Sequence, residues 1–275
     1  MLSEPVGSAA VAALELTSVD DSRRTVIVLG ASNVSRGLAR LVATVRSRAD
    51  APADLVVAAG HGRAYGVNSR VWLRRLPSIL GCGLWERLPA AGAGRTVALV
   101  TDVGNELLYG LGVAAVAGAV REAVYRLAER GAAIAITGLP LASIDRVGTV
   151  RYRLLRAAYV PGCELSLGQL QEAARWLDDE VRAVAADVGA SFIEQPGEWY
   201  GLDAIHLRRR RLDDLWHRAA DAWLLPRPSR RPRASVAEWA ALATRAAERR
   251  SIARIMLHVR QPSWRSRDDL RLWLY

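Results

Sequence analysis

Lysine is missing from this 275-residue chain, so all 38 basic residues are arginine. A guanidinium stays charged and presents a flat hydrogen-bonding fork, so burial cannot tune the basic character away as it can for an ammonium. Aromatic residues are sparse at 6%, with a single phenylalanine, and only two cysteines occur, Cys82 and Cys163. Two thiols in unrelated contexts, without metal-ligand spacing, exclude a disulfide framework or a zinc site and read as buried small hydrophobes. No apolar run reaches the ~18 residues of a membrane span. Glu4 and Glu15 stand where a signal peptide carries basic residues. These absences predict a soluble, cytoplasmic chain with no membrane span.

Hydrophobic residues are plentiful, at 51%, and 275 residues suffice for one large domain with an appendage. The net charge of +10 is unevenly spread. Residues 226–275 hold 12 arginines against Glu238, Glu248, Asp268 and Asp269, so eight of the ten net positive charges lie there. Proline and arginine alternate through PRPSRRPRAS (226–235), which reads as a linker. The expected organisation is an N-terminal segment (1–24), a main domain (25–225) and a basic C-terminal extension (226–275).

Within the main domain, short apolar runs at 25–32, 54–60, 96–105, 132–140 and 190–195 read as strands. Helical periodicity fills the gaps at 38–49, 71–84, 112–131 and 166–189, the last with Ser166 as its cap. All-apolar strands alternating with helices predict a mostly parallel sheet covered on both faces, a three-layer α/β/α fold of flavodoxin-like type. In the extension, 235–250 reads as an amphipathic helix with Val236, Trp239, Ala240 and Leu242 on one stripe, and RIMLHV (254–259) as an edge strand. Such a segment is expected to dock on the body or on a second copy of the chain, giving a homo-oligomer. The chemistry itself is expected not to need it.

Ligands in such sheets sit at the carboxyl ends of strands, where Ser32, Gly60 to Gly62 and Asn105 all fall. GASNVSRG lacks the Lys-Ser/Thr of a phosphate loop and the second glycine of a dinucleotide fingerprint, and no G-x-S-x-G elbow occurs anywhere. What remains is a serine after the first strand and, far downstream, GLDAIHLRR (201–209). Asp203 and His206 are three residues apart, so a turn can point both side chains one way. A serine hydroxyl becomes nucleophilic when a base takes its proton and a third group fixes that base. Acyl transfer further needs donors for the developing oxyanion, and Asn105 with a backbone N–H near Gly62 stands at neighbouring strand ends.

That constellation, in that order, resembles the SGNH (GDSL-like) hydrolase family over about residues 25–220. Gly30-Ala31-Ser32 resembles its first block, which implies Ser32 as nucleophile and oxyanion-hole donor. AAGHGRAYG is similar to its second, with Gly62 favoured over Gly60 by position. Val103-Gly104-Asn105-Glu106 is similar to the third, implying that Asn105 donates to the oxyanion, and Asp203 with His206 matches the last. Ala31, Arg63, Val103, Glu106 and Leu207 depart from the usual neighbours. The resemblance implies a serine esterase acting on a small-molecule ester through an acyl-enzyme, without metal or cofactor.

Each residue also has a structural reading. Ser32 could cap a helix, His206 could be a surface histidine with Asp203 as its cap, and Asn105 and Gly62 could serve turns. Trp199 and Tyr200 could pack their loop or line a pocket. The run Arg208 to Arg211 could be a solvated face or could attract an anionic substrate. An acyltransferase on the same fold, or a non-catalytic adaptor using its arginine-rich tail, are the alternatives. Nucleic-acid binding ranks low because the tail's arginines are interspersed with apolar residues.

Overall fold

The computed structural model describes residues 23–49, 52–71, 73–89, 95–229 and 233–275. The expected N-terminal segment therefore lies almost wholly outside the described residues. The chain begins with β1 (Arg24–Leu29), α1 (Ser32–Arg48) and β2 (Ala53–Ala58), a parallel pair joined by a helix. Two short strands follow, β3 (Ser69–Val71) and β4 (Arg74–Leu76), then α2 (Leu84–Arg87) and β5 (Thr96–Val100). Next come α3 (Asn105–Leu108), α4 (Val113–Ala128), β6 (Ala133–Thr137), α5 (Leu141–Ile144), α6 (Thr149–Tyr159), α7 (Leu167–Asp187) and β7 (Ser191–Ile193). The remainder is α8 (Leu212–Ala222), α9 (Val236–Ala243), β8 (Arg249–Ile252), β9 (Ile255–His258), β10 (Trp264–Arg265) and β11 (Leu270–Leu274).

Seven strands form the main sheet in the order β10-β11-β2-β1-β5-β6-β7, parallel throughout except that β10 runs antiparallel to β11. Strand side chains alternate between faces, and both faces of β1 are buried. Ile27 and Leu29 pack with α4 and α7 residues such as Val120, Val124, Leu177 and Val181. Val26 and Val28 pack with α1 and α8 through Leu41, Val45, Leu215 and Trp216. The result is the expected three-layer α/β/α architecture. Local chemistry agrees: Val113, Val116, Ala117, Val120, Val124 and Leu127 form the buried stripe of α4, and Ser166 caps α7 in a reciprocal box with Gln169. Cys82 and Cys163 are free and buried. Among the described residues, no helix is long and apolar enough to cross a membrane.

Two expectations are corrected. Residues 71–84 are not a helix. They contain β4 and a turn in which Pro77 interrupts the helical pattern, and β4 pairs with β8 from the far end of the chain. The predicted helix over 235–250 stops at Ala243 because residues 249–252 are drawn into the four-stranded antiparallel sheet β3-β4-β8-β9. Of its expected stripe Leu242 is buried, whereas Val236 and Trp239 are exposed. RIMLHV does supply an edge strand, β9.

The C-terminal segment goes further than docking. β11 lies parallel to β2 with Leu270, Leu272 and Leu274 buried, and the Tyr275 N–H donates to the Val57 carbonyl at 2.9 Å. It completes the main sheet and carries half of a second one.

Candidate active site

Chain order reverses direction at β1, which has β2 on one side and β5 on the other. Such a switch point leaves a crevice at the strands' carboxyl ends. Ser32 opens α1 directly beyond β1, and Asn105 opens α3 beyond β5.

The first turn of a helix has backbone N–H groups with no partner inside it, and Ala31 has no side chain to cap them. Asp102, at the end of β5, supplies the acceptor. Its carboxylate takes the Ala31 N–H at 2.9 Å, the Asn33 N–H at 3.0 Å and the Asn33 side-chain amide at 2.7 Å. Asp102 adopts φ 56° to do so. Between these two bonded amides, the Ser32 N–H makes no hydrogen bond among the described residues, and neither does its hydroxyl.

Asn33 holds the distant block in place. Its amide donates to the Ile205 carbonyl at 3.1 Å, and its carbonyl accepts the Leu207 N–H at 2.9 Å. His206 is thus clamped on both sides to the residue that follows Ser32. A proline at 207 could not donate that bond, which gives Leu207 its physical reason. His206 Nδ1 is hydrogen-bonded to the Asp203 carboxylate, and the other Asp203 oxygen accepts the Ile205 N–H at 3.1 Å. Burial alone would raise the Asp203 carboxyl, but its bond to His206 and two backbone N–H groups outweigh that and hold it below the ordinary range. The ring of Tyr159, at the end of α6, meets the His206 ring edge-on at 6.2 Å.

The second-block loop packs beside α3. Gly62 has φ +70°, which glycine adopts without strain, and its carbonyl accepts from the Tyr109 hydroxyl at 2.7 Å. Its N–H makes no hydrogen bond among the described residues. A Cβ on Gly60 would meet the end of the Leu76 side chain, and one on Gly62 would meet Val71 and the Tyr109 hydroxyl. The Asn105 amide donates to the Arg63 carbonyl at 3.2 Å, and the Glu106 carboxylate accepts the Tyr65 N–H. Burial pushes Glu106 up, against the pull of the Tyr65 and Gly66 N–H groups. Tyr65 in turn donates to the Thr101 carbonyl at 2.8 Å, joining this loop to β5.

Arg63 is almost wholly buried, with its guanidinium on the carbonyls of Pro77, Ala59 and Tyr275. The loop that carries Gly62 is therefore fastened to the end of β11. Sequence reasoning passed over Asn33 and Asp102 as positioning residues and gave Arg63 no partner. Asn33 and Asp102 each sit beside a singled-out block; the signal of Asp102 is a carboxylate just past an all-apolar strand, whereas Asn33 lies in the first turn of α1. Arg63's partner lies 212 residues away, beyond any local pattern.

Ser32, Asn105 and Asp203 line a cavity of about 110 Å³ whose walls also include Val103, Leu139, Ile144, Tyr152 and Leu155. Tyr200 both packs and lines: it is buried, borders this cavity, and donates to the Gln195 side chain. Trp199 is buried in the core. Among the described residues, no group of three His, Cys, Asp or Glu side chains could hold a metal.

No protein-family model matches the chain, and no curated protein matches it in sequence. Solved structures do match in shape. One is a psychrotrophic esterase, EstA from Pseudoalteromonas sp., inhibited by monoethylphosphonate, at 14% identity and TM-score 0.44, covering 73% of this chain and 98% of that one. Another is Est24, a carbohydrate acetylesterase from Sinorhizobium meliloti, at 12% identity and TM-score 0.49, covering 72% and 97% respectively.

Proposed function

We propose that the chain is an SGNH-type serine esterase that hydrolyses a small carboxylic ester through an acyl-enzyme. The reading is supported by Asn33, which follows Ser32 directly and whose side chain ties down the backbone on both sides of the carboxylate-bound His206. In this reading His206 takes the Ser32 proton as the hydroxyl attacks the ester carbonyl, and Asp203 orients the imidazole and balances its charge. The tetrahedral oxyanion is held by the Ser32 and Gly62 N–H groups and the Asn105 amide, donors of which each typically contributes ~3 kcal/mol. His206 then returns the proton to the leaving alcohol, and water repeats the sequence in reverse. The acyl group occupies the apolar cavity. Asp102, Asn33 and Arg63 are positioning residues.

A fluorophosphonate probe tests this. It should label Ser32, with labelling lost in Ser32→Ala and strongly slowed in His206→Ala. Labelling confined to another serine would overturn the assignment.

A further inference from the structure

A second and larger cavity, about 730 Å³, shares no lining residue with the apolar one. Its walls carry Arg36, Arg74, Arg209, Arg233, Arg245 and Arg250 together with Arg40, and the one acid among them, Asp213, is paired to Arg40. Among the described residues, none of those first six has a carboxylate within ion-pair distance. Elsewhere the chain pairs its arginines readily, as at Arg48–Asp221, Arg121–Glu180 and Arg271–Asp54. Buried atoms of two of the six, Nη1 of Arg36 and Nε of Arg250, also lack any hydrogen-bond partner. Unpaired buried cationic donors cost free energy unless something supplies the acceptor.

The arginines also lie on the elements that carry the proposed machinery. Arg36 follows Ser32 by one helical turn and so shares its face of α1. Arg74 donates to the His61 carbonyl at 3.1 Å, next to Gly62, and Arg209 is three residues beyond His206. His61 lines the cleft, and its imidazole is held below its ordinary range by desolvation and then by the charges of Arg74, His206 and Arg36. The charge of His206 is thus felt at a side chain that lines the cleft.

We propose that this arginine-lined cleft binds the phosphate-bearing part of a small organic ligand and, resting on the esterase reading above, that this part is the alcohol side of the ester. Guanidinium forks match phosphate oxygens bidentately, and six unpaired cations call for more than the single charge of a carboxylate. The volume fits a small ligand better than a polymer strand. The ester bond would then lie between a neutral acyl group in one cavity and an anionic alcohol in the other.

Calorimetric titration of the full-length chain with sodium pyrophosphate and with inorganic phosphate, at physiological ionic strength, tests the site without relying on catalysis. Pyrophosphate should bind, Ser32→Ala should bind it equally, and Arg36→Gln and Arg250→Gln should weaken it about tenfold or more. The double variant Arg209→Gln/Arg245→Gln, at two exposed positions, should weaken it too, and serves if either change at the half-buried Arg36 or Arg250 impairs folding. A second arm compares kcat/KM for 2-acetoxyethyl phosphate with that for ethyl acetate; the ratio should fall about tenfold or more in the same variants. No pyrophosphate binding, or equal binding by all variants, would overturn the site. Tighter binding of a short single-stranded RNA, lost in the same variants, would overturn it in favour of nucleic acid. Binding by a chain that hydrolyses no ester would overturn only the assignment to the ester's alcohol side.

Discussion

The apolar cavity and the arginine-lined cleft are built from different stretches of chain. The first draws its walls from the ends of β1 and β5, from α5 to α7 and from the loop of Asp203, so it belongs wholly to the alternating strand–helix part. The second takes one wall from α1, the loop at Gly60 and β4, and the other from α9, the residues after it and Leu274. One takes no lining residue from beyond Ile205. The other needs the C-terminal segment in place, with β8 paired to β4 and β11 to β2, because that segment supplies its second wall. Charge follows the same division, since half of the six unpaired arginines come from residues 233–250.

The largest expected effect treats both regions alike. Ser32→Ala or His206→Ala should lower ester hydrolysis by at least ~1000-fold whatever the alcohol carries, because nucleophile and base act as one unit. Steady-state rates on acetate and butyrate p-nitrophenyl esters check this. A variant that lost activity on only one class of ester would mean the two cavities serve different centres.

Next in size, Leu272→Ala separates the regions. Leu272 is fully buried on β11, and truncating such a side chain typically costs ~2–5 kcal/mol. Urea unfolding should show that loss, whereas Trp239→Ala on the exposed side of α9 should change stability by under about 1 kcal/mol. If Leu272→Ala cost no more than Trp239→Ala, β11 would be an ornament on the sheet. The coupling through Arg63, whose guanidinium rests on the Tyr275 carbonyl, adds a consequence for the site. Removing that acceptor strands a buried cation beside Gly62, so deleting residues 270–275 should impair the oxyanion loop as well as the fold.

The difference between the regions also explains what could be read from the residues alone. β1, β2, β5 and β6, in the middle of the sheet, announced themselves as apolar runs because both of their faces are covered, and α4 and α7 as periodic stripes because one face of each is. The proposed site residues stood out for two local reasons: Ser32 and Asn105 open helices just past β1 and β5, and the three-residue spacing of Asp203 and His206 lets a carboxylate meet an imidazole. β3, β4 and β8 were not, since each is three or four residues long and gains its identity from a partner far away in sequence: Arg74 pairs with Ile252. DDLRLWLY does alternate, with Leu270, Leu272 and Leu274 inward, but period two says nothing about which sheet a strand joins. Asn33 was hidden for a different reason. Beside a candidate nucleophile an asparagine reads as helix-start chemistry, and its bonds to Ile205 and Leu207 cross more than 170 residues.

A smaller effect sharpens the apolar side. Leu155, on α6, lines the cavity and is only partly buried, so a larger side chain there can intrude without displacing the core. Leu155→Trp should shift the ratio of kcat/KM for butyrate over acetate esters down by about tenfold, the usual scale for one or two methylenes in a hydrophobic pocket. The pyrophosphate affinity of the basic cleft should not follow it. A matched change in both would show that the two cavities communicate.

The smallest effect concerns the Asp203–His206 pair. The Asp203 carboxyl is held below its ordinary range in the folded chain, so it binds its proton less readily folded than unfolded. The stability this contributes is fully present above the unfolded value of ~3.9 and is lost as pH falls through the lower folded value. The sign follows: Asp203→Asn should melt below the wild-type temperature near neutral pH, and the gap should close as the buffer is taken below about pH 4. Asp203 is partly solvent-exposed, which screens the effect and keeps the gap small. Thermal melts of both proteins across that range, each scored against its own neutral-pH value, measure it. A gap that widened on acidification would mean that the carboxylate is strained by its surroundings instead of held by His206 and the Ile205 N–H, and the pairing that orients the imidazole would have to be redrawn.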